Sequence, residues 1–402
     1  MNRFLGRIQY IHIRDILHIF LFLLALPVSR VLRLFHKDLW IFCEDLNEAR
    51  DNAYWLFKYV REKHPEIDSV YAINPKCPDA VKVKVLGKTI PYGGFTHWVY
   101  YLAASKKISS QKGSGKPNAA VCYFLEITGL LKSKYAFLQH GIIRDDLKWL
   151  YYDVCKFSLF VVSTKAESEY VENNFGYKGK NIVKLLGLCR FDNLINAPSV
   201  LKPKQILVMP TWRDWLARKV ASSKKYDDMT DFTKTEYFTV WNSFLHNSSL
   251  HELLLKYGYT LVFFPHRQMQ SFISSFETSC PNIVIPDYEK TDTQLLLMES
   301  AFLITDYSSI FMDFAYMEKP QIYYQFDYEK FRKRHYQEGY FSYEKDGFGE
   351  ICHTESELIA MLSAYFESNL SLKEMYRERI NSFFTIRDNK NCERNFQAIY
   401  EL

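Results

Sequence analysis

From residue 39 onward, short apolar runs alternate with longer stretches in which apolar residues recur every three or four positions. Short runs rich in β-branched and aromatic residues predict buried strands, and the longer 3.6-period stretches predict helices laid over them. In the first half the strands fall at 39–43, 70–73, 83–86, 135–138, 159–163 and 182–186. Helices fall at 47–64, stopped by Pro65, and at 165–175, ended by Gly176. In the second half, strands are expected at 205–209, 261–264, 283–285, 302–305 and 321–324, with helices at 233–255, 293–300, 309–317 and 355–367. Such alternation predicts α/β architecture with parallel sheets covered by helices. The stretch 197–204, with Pro198 and Pro203, is the expected linker. It separates a Rossmann-like domain over 37–197 from a second over 204–402, the two facing across a cleft, and 402 residues suffice for both cores.

The first 36 residues form a third region. Residues 16–28 are apolar apart from His18, and Pro27 falls near the end. Thirteen helical residues reach about 20 Å against a hydrocarbon core of about 30 Å, so a helix lying in the membrane interface is expected rather than a span. Charge supports this placement. The net charge of +5 equals that of residues 1–37 alone, where Arg3, Arg7, Arg14, Arg30, Arg33 and Lys37 face only Asp15. A second basic zone over 80–125 holds seven lysines and no acid, with Trp98, Tyr100 and Tyr101 suited to the headgroup level. Two basic zones predict docking on an anionic membrane surface. No nucleic-acid motif accompanies the charge, so nucleic acid is not an expected partner. Eight cysteines lie singly without any CxxC pair, which fits a reducing cytoplasm and argues against a zinc site or a disulfide framework.

In open α/β sheets ligands bind beyond the carboxyl ends of strands, and four polar clusters occupy such positions. The first is Gln139-His140-Gly141 with Arg144, where an imidazole on a tight turn suits proton abstraction. The second is Pro210-Thr211-Trp212-Arg213, whose hydroxyl and guanidinium suit phosphate. The third, Pro265-His266-Arg267, brings a second histidine together with an arginine. In the fourth, Asp306-Tyr307-Ser308-Ser309 runs into a helix, where hydroxyls and free backbone N–H groups suit a diphosphate. The sequence 113–117 lacks the Walker pattern, and no GxSxG, HExxH or GxGxxG occurs. No carboxylate trio is evident either, so no tightly held metal or other cofactor is expected.

On these residues the chain resembles the CDP-glycerol glycerophosphotransferases of teichoic-acid and capsule synthesis. The matching stretches are FLQHGI (137–142), LLGLCRFDNL (185–194), MPTWRD (209–214), FFPHR (263–267), TDYSSIFMDFAYMEKP (305–320) and RDNKNCERNFQAI (387–399). The resemblance implies a GT-B fold, acceptor binding by the first domain and CDP-glycerol or CDP-ribitol binding by the second. It implies peripheral attachment to the cytoplasmic face of the membrane and a lipid-linked or polymeric acceptor. By matching position, His140 corresponds to the general base, while His266, Arg190, Pro210, Thr211, Ser308, Ser309 and Asp313 correspond to the donor site. Gln139 stands where the family commonly has Trp, and Asn389 where it has Gly. A nucleotide-sugar glycosyltransferase and a non-catalytic scaffold of the same fold are the alternative readings. The sequence leaves the oligomeric state open.

Overall fold

Two parallel sheets with the same internal strand order organise the chain. The computed structural model describes residues 13–113, 115–129, 131, 134–195, 204–216, 232–334 and 337–402. Arg3, Arg7 and all of the expected linker except Lys204 lie outside them. In chain order the strands are β1 (Trp40–Cys43), β2 (Ser69–Ile73), β3 (Thr89–Pro91), β4 (Lys106–Ser109), β5 (Lys134–Phe137), β6 (Asp145–Asp146), β7 (Leu159–Val162) and β8 (Val183–Leu185). They continue as β9 (Gln205–Met209), β10 (Thr260–Phe263), β11 (Ile283–Val284), β12 (Phe302–Thr305), β13 (Gln321–Tyr324), β14 (Gln337–Glu338) and β15 (Glu350–Cys352).

The first unit holds the described residues up to His140, then Lys148–Asp192 and Asp388–Leu402. Its sheet runs β3-β2-β1-β4-β5-β7-β8, with Ile41 of β1 opposite Val70 on one side and Lys107 on the other. Every residue of β1, β2, β4 and β7 is buried, as a sheet covered on both faces requires. One face packs Trp40, Phe42 and Tyr71 against Leu56 and Phe57 of the helix Asn52–Lys63 and against Phe396 and Ile399 of the helix Asn391–Tyr400. The other packs Ile41 and Val70 against Trp98 and Leu102 of the helix Phe95–Ala103.

The second unit comprises Gly141–Leu147 and Asn193–Arg387. Its sheet runs β11-β10-β9-β12-β13-β15, again parallel, with Leu207 between Val262 and Leu303. A short antiparallel ladder pairs β6 with β14. In both sheets the strand order reverses beside the first strand, between β1 and β4 and between β9 and β12, where the doubly wound fold opens a ligand crevice.

The unit boundaries correct a division at a single linker. Residues 388–402 return to the first unit because Asp192 accepts from the backbone N–H groups of Asn391 and Cys392, each at 2.8 Å, and because the Phe396 ring packs on Trp40. Residues 141–147 belong to the second unit through the β6–β14 ladder. The strand expected at 83–86 is instead part of the helix Ala80–Leu86, in which Ala80 and Val83 are buried while Val81 and Val85 are exposed. The helix expected over 233–255 is two, Glu236–His246 and Ser248–Tyr257, divided at Asn247, whose side chain accepts from Leu250 N.

The basic zone over 80–125 is not a continuous surface. Lys106 is buried against Asp38 at 3.0 Å, Lys107 is buried over the Tyr101 ring, and Lys116 pairs with Glu126. Trp98 and Tyr101 are core residues. The N-terminal helix, Ile13–Phe35, passes through Pro27 and spans 23 residues, about 34 Å, so length alone no longer excludes a span.

Candidate active site

In the first unit, β5 ends at Phe137 and the chain turns sharply through Gln139, whose φ of 68° is left-handed. A non-glycine residue is strained there and is held by its surroundings. The Gln139 amide donates to Glu167 Oε1 at 3.0 Å, and its carbonyl accepts from Asn52 Nδ2 at 2.7 Å. The side chain is buried, so this departure from the family's tryptophan faces the interior. The turn delivers His140 to the carboxyl edge of the sheet with its side chain 69% exposed.

His140 Nδ1 lies 2.5 Å from Asp51 Oδ2. Asp51 is the N-cap of the helix Asn52–Lys63, and its Oδ1 also accepts from Arg190 Nη1 at 2.8 Å. The same Arg190 nitrogen donates to the His140 carbonyl at 2.6 Å. Behind them the buried Glu44 carboxylate accepts from the backbone N–H groups of Arg50, Asp51 and Tyr54. The Asp51 charge raises the imidazole's pKa above its ordinary value, against the opposing effect of the Arg190 charge. Burial pushes Asp51 up, but His140 and Arg190 outweigh it and hold the carboxyl below the usual range. Burial, then the charge of Asp51, pushes Glu44 up to about 8. Arg190 therefore belongs to the histidine's network in the first unit.

In the second unit three strand ends converge. His266, after β10, donates its backbone N–H to the Pro210 carbonyl at 3.1 Å, and its ring stacks on Trp212 with centroids 6.3 Å apart. His266 Nδ1 accepts from Gln268 N at 3.2 Å, which places the proton of the neutral ring on Nε2. Thr211, after β9, donates its N–H to Asp306 Oδ1 at 2.8 Å, and Asp306 follows β12. The Thr211 hydroxyl is buried with no hydrogen-bond partner among the described residues. Ser308 and Ser309 are half-buried, and Ser309, at the helix N-cap position, makes no side-chain capping bond. Gly141 is half-buried, Arg267 is exposed, and Asp313 is buried within the helix Ile310–Tyr316.

Arg213, expected to bind substrate, is committed elsewhere, whereas Arg144 Nη1 has no hydrogen-bond partner among the described residues. The Arg213 side chain is 0% exposed and pairs with Asp306 at 2.9 Å and Asp327 at 2.8 Å, inside a box formed by Tyr237, Tyr307, Phe326 and Phe331. Its remaining Nη1 bonds the Thr211 carbonyl at 2.8 Å, so it shapes the loop from beneath and offers no face to a ligand. Arg144 is buried, bonds Asp145 at 3.1 Å and the Tyr307 carbonyl, and lies over Phe311 and Tyr343. It therefore braces the loop that carries Ser308 and Ser309. Asp51, Glu44 and Asn52 escaped the sequence reading. The available signal was the acidic, polar stretch after the first strand, a fifth strand-end cluster on the same sheet edge. Among the described residues no group of three or more His, Cys, Asp or Glu side chains is placed to hold a metal ion.

A histidine backed by a carboxylate, and a separate edge rich in anion donors, are parts suited to group transfer from a phosphorylated donor. Known proteins place the chain further. It is 34% identical over 384 residues to the minor teichoic acid biosynthesis protein GgaB of Bacillus subtilis (strain 168), a match covering 94% of this chain and 42% of that protein. It is 22% identical over 377 residues to the teichoic acid poly(glycerol phosphate) polymerase of the same strain, covering 86% of this chain and 46% of that protein. The chain thus spans less than half the length of both curated relatives. A solved structure of the wall teichoic acid polymerase TagF superposes with a TM-score of 0.65 at 16% identity, covering 96% of this chain and 97% of that one, and carries the fold, GT-B. Residues 25–401 match the family described as CDP-Glycerol:Poly(glycerophosphate) glycerophosphotransferase, and with both Rossmann-like sheets inside that span the chain belongs to this family.

Proposed function

We propose that this chain transfers glycerol phosphate, or a related polyol phosphate, from CDP-glycerol to a hydroxyl of a lipid-linked or polymeric acceptor in teichoic-acid or capsule synthesis. The observation that carries the reading is the exposed His140 imidazole on its strained turn, held at Nδ1 by an ionised carboxylate. A solved TagF structure soaked with CDPG supports CDP-glycerol as the donor, and CDP-ribitol is the second donor of the same class. His140 removes the proton as the acceptor oxygen bonds to the β-phosphorus. The bond from that phosphorus to the bridging oxygen breaks, and CMP departs with the bridging oxygen. His266 Nε2–H, the Thr211 hydroxyl and the Ser308-Ser309 loop are the groups we assign to the phosphates, with Arg267 as a further cation. Positioning and preorganised donors supply most of the acceleration in phosphoryl transfer.

The assay is CMP release with a short glycerol phosphate oligomer as acceptor, comparing CDP-glycerol, CDP-ribitol and nucleotide sugars as donors. Turnover of a CDP-polyol alone supports the proposal. Turnover of a nucleotide sugar alone, or donor binding without any turnover, replaces it with the glycosyltransferase or the scaffold.

We further assign the chain to the cytoplasmic membrane face, attached by a helix lying in the interface. The helix Ile13–Phe35 is hydrogen-bonded to the rest of the first unit near both ends, and between them Phe22 packs edge-on against Trp98 and Ala25 is buried. Asn118 bonds Asp15 at 2.7 Å, Trp98 bonds His18 at 3.0 Å, and Arg33 bonds the Ala103 carbonyl at 3.1 Å. A helix docked along its length cannot cross a bilayer without carrying the helix Phe95–Ala103 with it. Its opposite face exposes Leu17, Phe20, Leu24, Val31 and Leu34, an apolar stripe suited to lipid.

A further inference from the structure

We infer that Asp51 is the positioning residue of the His140 base: its carboxylate holds the imidazole at Nδ1, selects the tautomer protonated there, and turns Nε2 outward to meet the acceptor hydroxyl. The last clause rests on the function proposed above; the first two rest on geometry alone. Asp51 Oδ2 is 2.5 Å from Nδ1, and two carboxylate oxygens divide the work. Oδ1 takes Arg190 at 2.8 Å and the N–H of Asn52 at 2.8 Å, leaving Oδ2 to the ring. An ionised carboxylate can only accept, so the shared proton sits on His140 Nδ1 and the exposed Nε2 keeps its lone pair. Asp51 is itself fixed from behind, since its backbone N–H donates to Glu44 and it caps a twelve-residue helix. The titratable and charged groups facing the imidazole are Asp51, Arg190 and, further off, Glu44, whose own carboxyl is pushed up to about 8.

The bland alternative is that Asp51 only caps the helix Asn52–Lys63. Asn caps as well as Asp does, so Asp51→Asn preserves that role while removing the charge and permitting the wrong tautomer. In the full-length variant, turnover should fall by about 10²–10⁴-fold with donor affinity unchanged. The acid limb of kcat/KM should move to lower pH. Asp51 raises the imidazole's pKa, and the base works only when Nε2 is unprotonated, so losing the carboxylate lowers the pH at which activity rises. A readout independent of turnover is ¹⁵N NMR of histidine-labelled protein, with the His140 signal assigned through His140→Asn. The neutral ring should be protonated at Nδ1 in the native chain, and the Nε2–H form should appear in Asp51→Asn. A native ring protonated at Nε2 overturns the inference, as does an unmoved acid limb with turnover within twofold. If CDP-glycerol is not turned over at all, the proposed function fails, while the NMR measurement still decides the tautomer. If Asp51→Asn does not fold, the native spectrum alone decides it.

Discussion

At the scale of single residues, what separates the catalytic candidates from the structural ones is exposure and commitment of their polar atoms. His140 is exposed and fixed at one ring nitrogen only, so His140→Ala should lower turnover by about 10²–10⁴-fold while CDP-glycerol affinity, measured by calorimetry, stays within a few-fold. Near-normal turnover at saturating substrate would remove it as the base. Arg213 is the opposite case. Replacing it by Leu leaves Asp306 and Asp327 buried without their counter-charge, and breaking one partner of such a cluster costs about 3–5 kcal/mol. Urea unfolding should register that loss, whereas stability within about 1 kcal/mol of native would mean that water reaches the two carboxylates. Histidines and hydroxyls at strand ends were legible in the sequence because the strand-end rule depends only on local chain pattern. Arg213 and Arg267 could not be told apart that way, since one lies in an aromatic box built from residues 237 to 331 and the other is exposed. Asp51 escaped because its partner is 89 residues distant.

At the scale of elements, most strands and helices followed from apolar runs and their punctuation, and the exceptions have physical causes. Val81-Lys82-Val83-Lys84-Val85 alternates like a strand but forms a helix in which only every third residue turns inward. Lys106 and Lys107 open β4, a central strand, because Asp38 and the Tyr101 ring receive their ammonium groups; two lysines gave no apolar signal. Asn247 looked interior to one helix but ends one and starts the next. The final helix looked like the end of the second domain, yet its N-terminus clamps the loop 187–192 that carries Arg190. Asn391 donates to Asp192 at 2.7 Å, and Arg394 donates to the Leu186 carbonyl at 2.9 Å. Gly187 is the tight point of this clamp. Its φ is 81°, and a Cβ there would sit 1.8 Å from Asn391 Oδ1. Gly187→Ala should therefore lose about 1–2 kcal/mol to backbone strain and about 1–3 kcal/mol to overpacking. Adding Asn391→Ala relieves only the overpacking and strips Asp192 of a donor. Urea midpoints of the single and double variants test this, and a neutral Gly187→Ala would show that the loop is free to shift.

At the scale of the whole molecule, both sheets share one strand order, which is why a single rule about carboxyl edges located polar clusters in each half. On the attachment proposed above, the N-terminal helix obeys a different logic, because its two faces would meet different media. The inward face spends its polar groups, Asp15, His18 and Arg33, on the first unit, and the outward face is apolar. Phe20 and Leu24 are 61% and 64% exposed, and burying such side chains is worth about 1.5–3 kcal/mol each. Phe20→Glu with Leu24→Glu should accordingly reduce vesicle binding at least 100-fold without unfolding the chain, since neither residue supports the docked face. Exposed Arg14, Arg30 and Lys37 add about 1 kcal/mol each on an anionic leaflet. Raising salt from 0.1 M to 1 M shortens the screening length from about 10 Å to about 3 Å, so native protein should lose part of its binding to anionic vesicles and none of its binding to neutral ones. Flotation on both vesicle types, with CMP release on a soluble acceptor as the control for folding, measures these effects together. Alkaline carbonate extraction separates the two geometries that length allows: release from the membrane fits a helix lying in the interface, and retention in the pellet would mean that Ile13–Phe35 crosses the bilayer and has left its seat on the helix Phe95–Ala103.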